Sequence, residues 1–168
     1  VAAYARKVLR EDFEFELFKF PEQLASRLES HSPAVLACAN YSWNLELTYK
    51  LCHWAKKNNP DLIDVLGGPN FPELPSEQIE FLADRQIVDF YIENEGELGF
   101  VDLLEKLAKH GFKASQLKDA EEQITNCCYL SGGTLISGPI ERIADVNTVP
   151  SPYLTGILDE FFALPLIP

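Results

Sequence analysis

The sequence predicts an α/β fold, a doubly wound and mainly parallel sheet with helices on both faces. Short apolar segments alternate with amphipathic segments of about 10 to 15 residues, as in chains built from strand–helix–strand units. Three apolar segments, 34–39, 62–66 and 88–92, contain at most one charged residue each, which is typical of strands that are covered on both faces. Right-handed connections between such strands place helices on both sides of one sheet.

The beginning of the chain predicts a helix, a strand and a second helix. Ala2, Ala5 and Leu9 recur at helical spacing, so we expect the chain to open inside a helix. The residues of 13–17 then alternate between apolar and acidic, which predicts a strand with one charged face. Pro21 favours the first turn of the next helix.

Each of the three core strands is followed by a predicted helix. Apolar residues at helical spacing indicate helices that end near Asn58, near Ala83 and near Ala108. Pro60 and Gly111 stand where the first and the third of these helices should end.

Beyond the third of these helices the alternation stops. Two β-prone segments, 124–130 and 134–137, flank a Ser-Gly-Gly sequence, which predicts a hairpin with a glycine-bearing loop. The tail is rich in proline and is predicted to be a linker with one short helix over 158–163. The sequence therefore predicts an α/β domain over 1–115, followed by a β-ribbon and Pro-rich linker over 116–168.

Composition narrows the classes of function. The 168 residues are 46% apolar and 24% charged, enough for an ordinary core. Fourteen basic residues against 26 acidic ones give a net charge of −12, which would repel a phosphate backbone and argues against nucleic acid as a partner. No stretch approaches the roughly 18 apolar residues of a membrane helix, and no signal peptide is recognised, so we expect a cytoplasmic location and no membrane partner.

Neither the cysteines nor the histidines are spaced as metal ligands. The four cysteines show no CxxC or CxxxCxxC spacing, so we expect reduced, structural thiols. None of the three histidines lies in an HExxH sequence. The sequence therefore predicts no metal site formed by this chain alone, and no catalytic nucleophile is recognised.

Ligands of open parallel sheets bind beyond the carboxyl ends of the strands, where three polar loops of this chain are expected to meet. Gly, Asn, Ser and acidic residues are more frequent in these loops than in the segments that flank them. Aromatic rings, flexible backbone and hydrogen-bonding side chains together suit a flat organic ligand. The candidate cofactor-binding residues are Tyr41, Ser42, Trp43, Asn44, Gly67, Gly68, Pro69, Asn94, Glu95, Gly96 and Glu97.

Each loop also has a structural interpretation. Gly67 and Gly68 would let backbone approach a ligand closely, or they form an ordinary turn between a strand and a helix. Asn44 would bind a ligand or cap the next helix. Glu95 and Glu97 could form an acid/base pair, but the pattern favours capping of the next helix and interaction with its positive end.

Four segments resemble one protein family. AVLACANYSWN resembles the PDVVGFSxYxWN segment of cobalamin-binding domains that precede radical S-adenosylmethionine domains. DLIDVLGGPNFP is similar to their VVVGGPxxP turn, and VDFYIENEGELGFVDLLEKL to their VDxVxxGEGExxFxxLLE element. NTVPSPYLTGILDEFF is similar to their LPSPYLTGxLDEFF linker. The matches occur in the family's order between about Pro21 and Phe162.

The resemblance implies a Rossmann- or flavodoxin-like cobalamin-binding module that is not catalytic alone. In the family, a CxxxCxxC motif beyond the linker holds a [4Fe–4S] cluster and binds S-adenosylmethionine. This sequence has no such motif, so both groups would belong to another part of the parent protein, which would carry out methyl transfer or related radical chemistry. The implied partners are that radical S-adenosylmethionine domain and a small-molecule substrate.

The sequence departs from the family pattern at two places. The DxHxxG motif that supplies an axial histidine is absent, so cobalamin would bind without a protein histidine on cobalt. Family members usually have a strand ahead of a helix that resembles VAAYARKVL, and here the chain opens in that helix. A sheet without that strand would expose strand edges, which leaves a homodimer as an open alternative.

Two alternative functions remain at this point. Asn94 stands where the family usually has glycine, and a β-carbon there would crowd a corrin edge, which favours a cobalamin-free scaffold or substrate-binding domain of a radical S-adenosylmethionine protein. The other alternative is an unrelated flavodoxin-like enzyme or response module. Cys38 and Asn40 occupy the neighbourhood in which a response module would need acidic residues, so this alternative ranks last.

Overall fold

A five-stranded sheet forms the centre of the molecule, which a computed structural model describes over residues 1–162. The first three strands pair in parallel, and the last two are antiparallel to their neighbours. The predicted α/β class with a mainly parallel sheet is therefore confirmed. The strands lie side by side in chain order: β1 (Val35–Ala39), β2 (Ile63–Gly67), β3 (Phe90–Ile92), β4 (Cys127–Ser131) and β5 (Thr134–Ser137).

Helices cover both faces of this sheet, as expected. In the described part of the chain they are α1 (Ala2–Leu9), α2 (Pro21–Ser30), α3 (Leu45–Asn58), α4 (Pro75–Asp84), α5 (Gly96–Lys109), α6 (Ala114–Asp119) and α7 (Asp159–Phe162). The six-residue helix α6 was not predicted because it is too short for a periodic pattern. The short helix predicted over 158–163 corresponds to α7, and residue 163 lies outside the described residues, as does the rest of the tail. No helix within 1–162 is long and apolar enough to cross a membrane.

Alternation along the strands divides the core into two clusters, one on each face of the sheet. Ile63 and Val65 of β2 point into a first cluster, which is covered by α1 and α5. Leu66 points into a second cluster, which is covered by α3 and α4. The consecutive residues Cys127 and Cys128 of β4 are both buried but belong to different clusters, as the two-residue repeat of a strand requires.

The strand predicted over 13–17 is wrong. The backbone at Phe13 is extended, with φ −136° and ψ 136°, but this segment pairs with none of the five strands of the described sheet. The rings of Phe13 and Phe15 pack instead against the first cluster, where their centroids lie 6.0 Å from Phe112 and 6.4 Å from Phe100, respectively. The apolar alternation therefore reflects the burial of rings, which does not require sheet hydrogen bonds.

The predicted hairpin is confirmed. Gly132 and Gly133 form its turn with φ of 55° and 84°, a region of backbone conformation that glycine adopts at low cost. The hairpin extends the same sheet, because Ile92 of β3 pairs with Cys127 of β4. The division of the chain at residue 115 stays a prediction.

Candidate functional site

The carboxyl ends of the three parallel strands lie side by side. In the parallel register Ala39 pairs with Gly67, and Gly67 pairs with Ile92. The predicted loops follow these positions, so the structure brings all the predicted site residues to one edge of the sheet. We refer to them as the first loop (40–44), the second loop (67–69) and the third loop (94–97).

The first loop presents an exposed aromatic pair. The rings of Tyr41 and Trp43 stack with their centroids 4.6 Å apart and their planes 10° from parallel. Trp43 is 79% exposed and Tyr41 is 36% exposed, and Ser42 between them is also exposed. The loop therefore offers a flat apolar surface with a hydroxyl group beside it.

Asn44 closes the first loop and does not cap the following helix. Its Oδ1 accepts a hydrogen bond of 2.7 Å from the backbone nitrogen of Tyr41, and its Nδ2 donates one of 3.0 Å to the carbonyl oxygen of Ala39. Asn44 occupies the N-cap position of α3, but its side chain makes no capping bond. The capping interpretation of this side chain is therefore wrong, and its amide holds the loop that carries the aromatic pair.

Glycine in the second loop is required by a contact with the first loop. Gly68 has a φ of 131°, and a β-carbon at this position would lie 2.6 Å from the carbonyl oxygen of Asn40. The backbone nitrogen of Asn40 also donates a 2.7 Å hydrogen bond to the carbonyl oxygen of Gly67. The close backbone approach that the glycine pair predicted is thus to the protein itself.

A buried network joins these two loops. Asn40 donates from Nδ2 to the carbonyl oxygen of Asn70 at 2.7 Å and to the hydroxyl of Tyr91 at 2.9 Å. Tyr91 in turn donates from its hydroxyl to the carbonyl oxygen of Gly68 at 2.9 Å. Neither Tyr91 nor Asn70 was predicted as a site residue. A tyrosine in an otherwise apolar core strand is the signal that could have found this network, because a buried hydroxyl needs a partner.

One carboxylate of the third loop is already paired. Glu95 accepts hydrogen bonds of 3.0 and 3.2 Å from Arg142. Glu95 is at the N-cap position of α5 but makes no side-chain capping bond. The predicted interaction of Glu97 with the helix is supported by its position in the first turn of α5. Asn94 is exposed and has a φ of 53°.

A second asparagine holds the third loop in place. Asn126 is fully buried, and its Nδ2 donates to the carbonyl oxygens of Glu95 at 3.2 Å and of Glu141 at 2.9 Å. The backbone carbonyl oxygen of Asn126 accepts a 2.7 Å hydrogen bond from the backbone nitrogen of Glu93. Asn126 was not predicted as a site residue, because it lies within the first segment of the predicted hairpin, 124–130, far along the chain from the third loop.

One partly buried acid lies at the same edge. Burial raises the pKa of Glu93 above its ordinary value, and hydrogen bonds to neighbouring groups oppose that effect. Gln78 of α4 donates one of these bonds at 3.3 Å. Glu93 follows β3 directly, and it was not predicted as a site residue.

Comparison with known proteins identifies the type of domain. No protein-family model matches the chain. It is 33% identical to a 2-(S-pantetheinyl)-carbapenam-3-carboxylate methyltransferase of Streptantibioticus cattleyicolor over 129 residues, which are 76% of this chain and 17% of that protein. It is 30% identical over 130 residues to TokK of Streptomyces tokunonensis, a cobalamin-dependent radical SAM methyltransferase, again 76% of this chain and 17% of that protein. The chain is a cobalamin-binding-type domain of a radical S-adenosylmethionine protein. The resemblance seen in the sequence is confirmed.

The donor groups of this cobalamin-binding-type domain are carbonyls, amides, hydroxyls and aromatic rings. None of its histidines, His31, His53 and His110, lies in the three loops, and His110 is bonded through Nε2 to Glu122 at 2.8 Å. Within residues 1–162 no three His, Cys, Asp or Glu side chains are grouped in a way that could hold a metal ion.

Proposed function

We propose that this domain binds cobalamin at the edge formed by the three loops, as a non-catalytic module of a radical S-adenosylmethionine methyltransferase. The observation that carries the proposal is the exposed, stacked pair of Tyr41 and Trp43 beside the backbone of Gly67 and Gly68. The relatives support it, because one of them is a cobalamin-dependent methyltransferase by name. The chain spans 17% of the length of each of these relatives, so methyl transfer, the [4Fe–4S] cluster, S-adenosylmethionine and the substrate belong to the proposal for the parent protein.

The chemistry of the edge fits a corrin. A corrin is a flat ring with apolar faces and amide-bearing arms, and flat apolar ligands pack well on aromatic side chains. The indole of Trp43, 79% exposed, is the surface on which we place one face of the ring. Covering it would remove apolar surface from water, which favours binding.

The site residues divide into those that would touch the cofactor and those that hold the loops. Polar groups available to the corrin arms are the hydroxyl of Ser42, the amide of Asn94, the backbone nitrogen of Gly68 and the carbonyl oxygen of Pro69, on four exposed residues. Both ends of the Asn44 amide are used inside its own loop. The holding group comprises Asn44, Gly67, Glu95, Gly96 and Glu97. Glu95 is ion-paired with Arg142, Gly96 and Glu97 lie in the first turn of α5, and a β-carbon at Gly67 would lie 3.3 Å from the carbonyl oxygen of Ile92.

Bound cobalamin would supply a carrier for the methyl group, and the domain would fix its orientation and exclude water from it. With no histidine in the loops, this domain would hold the cofactor without a protein histidine on cobalt. The loops act through shape and hydrogen bonding, so we expect recognition of the corrin as a whole.

The test is a titration of the chain with hydroxocobalamin, followed by desalting and a visible spectrum. We expect about one corrin per chain, retained with a Kd in the micromolar range or below. Trp43→Ala should weaken binding about tenfold, the equivalent of about 1.4 kcal/mol. Tyr153→Ala is the matched control, because Tyr153 is another exposed aromatic, at 66%, but lies in the tail. Failure of the unaltered chain to retain corrin would reject the proposal.

The cobalamin-free scaffold is the second candidate, and Asn94 favours it. Its side chain is exposed at the edge on a backbone with a φ of 53°, a conformation that suits glycine. If this side chain crowds the corrin, Asn94→Gly will raise the affinity for hydroxocobalamin about fivefold, a change of about 1 kcal/mol. An unchanged affinity would show that the β-carbon of Asn94 does not obstruct the ring.

A further inference from the structure

A set of hydrogen-bonded polar groups, centred on two fully buried side chains, lies beneath the first two loops. Asn40 and Tyr91 have no exposed surface. Both amide hydrogens of Asn40 are used, and its Oδ1 accepts a 3.2 Å hydrogen bond from Nδ2 of Asn70. The Tyr91 hydroxyl accepts from Asn40 and donates to Gly68. The polar atoms of Asn40 and Tyr91 thus find their hydrogen-bond partners within this cluster or in the backbone of the loops.

Tyr91 holds the second loop and the residues after it at two points. Its hydroxyl bonds the carbonyl oxygen of Gly68 at 2.9 Å. Its ring stacks on Phe71 with centroids 3.8 Å apart and planes 13° from parallel, and Phe81 of α4 meets both rings edge-on. The turn is therefore fixed from below by a residue that reaches it from β3, two strands away from the first loop.

The two loops are coupled because neither can move without leaving a buried polar group unpaired. If one partner is lost, the other stays buried without a hydrogen bond, which costs about 1 to 3 kcal/mol. Burial also raises the pKa of Tyr91 above its ordinary value, so the hydroxyl remains a donor near neutral pH. The link between the loops is consequently insensitive to pH in that range.

We propose that Tyr91, acting with Asn40 and Asn70, is a positioning residue that holds the first and second loops in the arrangement needed to bind the corrin. This inference rests on the proposed function. Tyr91 touches no cofactor in this assignment, since it is buried below the loops, and it acts through Gly68 and Asn40. It would lower the cost of ordering the loops upon binding.

Tyr91→Phe removes the hydroxyl and leaves the ring. The matched control is Tyr129→Phe, because Tyr129 is equally buried but its hydroxyl donates to the carbonyl oxygen of Glu122 at 2.8 Å, apart from the three loops. We expect both variants to lower the urea midpoint to a similar extent. Only Tyr91→Phe should speed amide hydrogen exchange in the first loop and in 67–71, by about tenfold in the cobalamin-free protein, and weaken hydroxocobalamin binding about fivefold.

The outcomes separate this inference from the proposed function. If the unaltered chain binds hydroxocobalamin and Tyr91→Phe binds it equally well, or leaves loop exchange unchanged, the positioning role is rejected and the proposed function stands. If the unaltered chain binds no cobalamin, both are rejected. Should Tyr91→Phe fail to fold, Asn70→Ala takes its place, because Asn70 is only half-buried and its loss also unties the two loops. The same increase in exchange and loss of affinity are then required.

Discussion

Two buried polar side chains on neighbouring strands have opposite environments. Asn40, directly after β1, and Asp64, in β2, both have no exposed surface. Every polar atom of the Asn40 side chain is hydrogen-bonded. Among the described residues, neither carboxylate oxygen of Asp64 has a hydrogen-bond partner. One side chain therefore completes a network at the carboxyl edge, and the other is enclosed in the core without a hydrogen bond.

The lysine nearest to Asp64 is hydrogen-bonded to a different carboxylate. The Nζ of Lys56 lies 3.9 Å from Oδ2 of Asp64 but is hydrogen-bonded to Asp89, which also receives a 3.1 Å bond from Lys118. Burial raises the pKa of Asp64 to about 7, with Lys56 opposing the rise and Asp89 adding to it. A protonated Asp64 is thus favoured in the folded state.

This contrast explains how one sheet has loops held by hydrogen bonds that do not depend on pH and, in its core, a carboxyl group whose protonation does. A neutral amide has donors and acceptors that a network can satisfy at any pH, whereas a buried carboxylate must either find donors or take up a proton. The loops that carry the proposed site depend on the amide. The overall stability of the domain depends in part on the carboxyl.

The largest expected effect comes from giving Asn40 the chemistry of Asp64. Asn40→Asp replaces two donors by an oxygen that faces the carbonyl oxygen of Asn70 and the Tyr91 hydroxyl. We expect a loss of about 4 kcal/mol in the free energy of unfolding at pH 8, typical of an uncompensated buried charge. Urea denaturation at pH 5, where the new carboxyl can hold a proton, should show a smaller loss. A loss at pH 8 below about 1 kcal/mol would contradict the importance of the network.

A second way to break the fixed edge is to add a methyl group at Gly68. Gly68→Ala would put a β-carbon 2.6 Å from the carbonyl oxygen of Asn40 on a backbone with a φ of 131°. The clash and the backbone strain together should cost about 3 kcal/mol in unfolding free energy. Gly133→Ala is the control, because its φ is 84° but no atom lies within 4 Å, so only backbone strain of about 1 kcal/mol remains. Equal losses in the two variants would argue against a tight contact between the loops.

The reciprocal change, Asp64→Asn, should remove the pH sensitivity of the centre. Because the pKa of Asp64 is raised in the folded protein, its contribution to stability is complete below its ordinary value near 4 and is lost as the pH rises toward about 7. We expect the variant to be more stable than the unaltered protein by about 2 kcal/mol at pH 8 and similar to it at pH 5. Urea denaturation at the two pH values measures this. An unchanged pH slope would mean that Asp64 does not titrate in this range.

Asp102 provides a control of opposite sign. Burial acts to raise its pKa, but hydrogen bonds from Lys106 at 2.8 Å and from the nitrogen of Thr125 at 2.7 Å hold the pKa below its ordinary value. Its contribution is present above that value and is lost as the pH falls through the folded-state pKa. Asp102→Asn should therefore lower stability at pH 8, whereas Asp64→Asn raises it.

The sequence predicted the sheet and its helices well because burial has a period. Strands covered on both faces appear as apolar segments, and amphipathic helices repeat their apolar residues. The same signal was misleading at Phe13 and Phe15, since the pattern reports which side chains are buried and not which backbone groups are paired. Helix α6 was missed because its six residues are too few to show a periodic pattern.

The loops of the site were predicted, but the buried side chains that hold them from beneath were not. Tyr41 and Trp43 could be found because exposed rings beside a strand end are unusual, and the Gly pair marks a turn. Asn40, Tyr91 and Asn126 act through partners distant in the chain, and no local pattern gives such a pairing. Only the general rule that buried polar atoms are hydrogen-bonded could have pointed to them.

Alkylation of the two neighbouring cysteines of β4 would report the opening of the folded protein. Cys127 and Cys128 lie in the clusters on opposite faces of the sheet, and burial raises the pKa of each thiol. An alkylating reagent attacks the thiolate, so each sulfur reacts only after its own cluster opens. Mass spectrometry of the peptide that contains both residues would measure the alkylation rate of each sulfur. The two rates would report the opening of the two clusters separately.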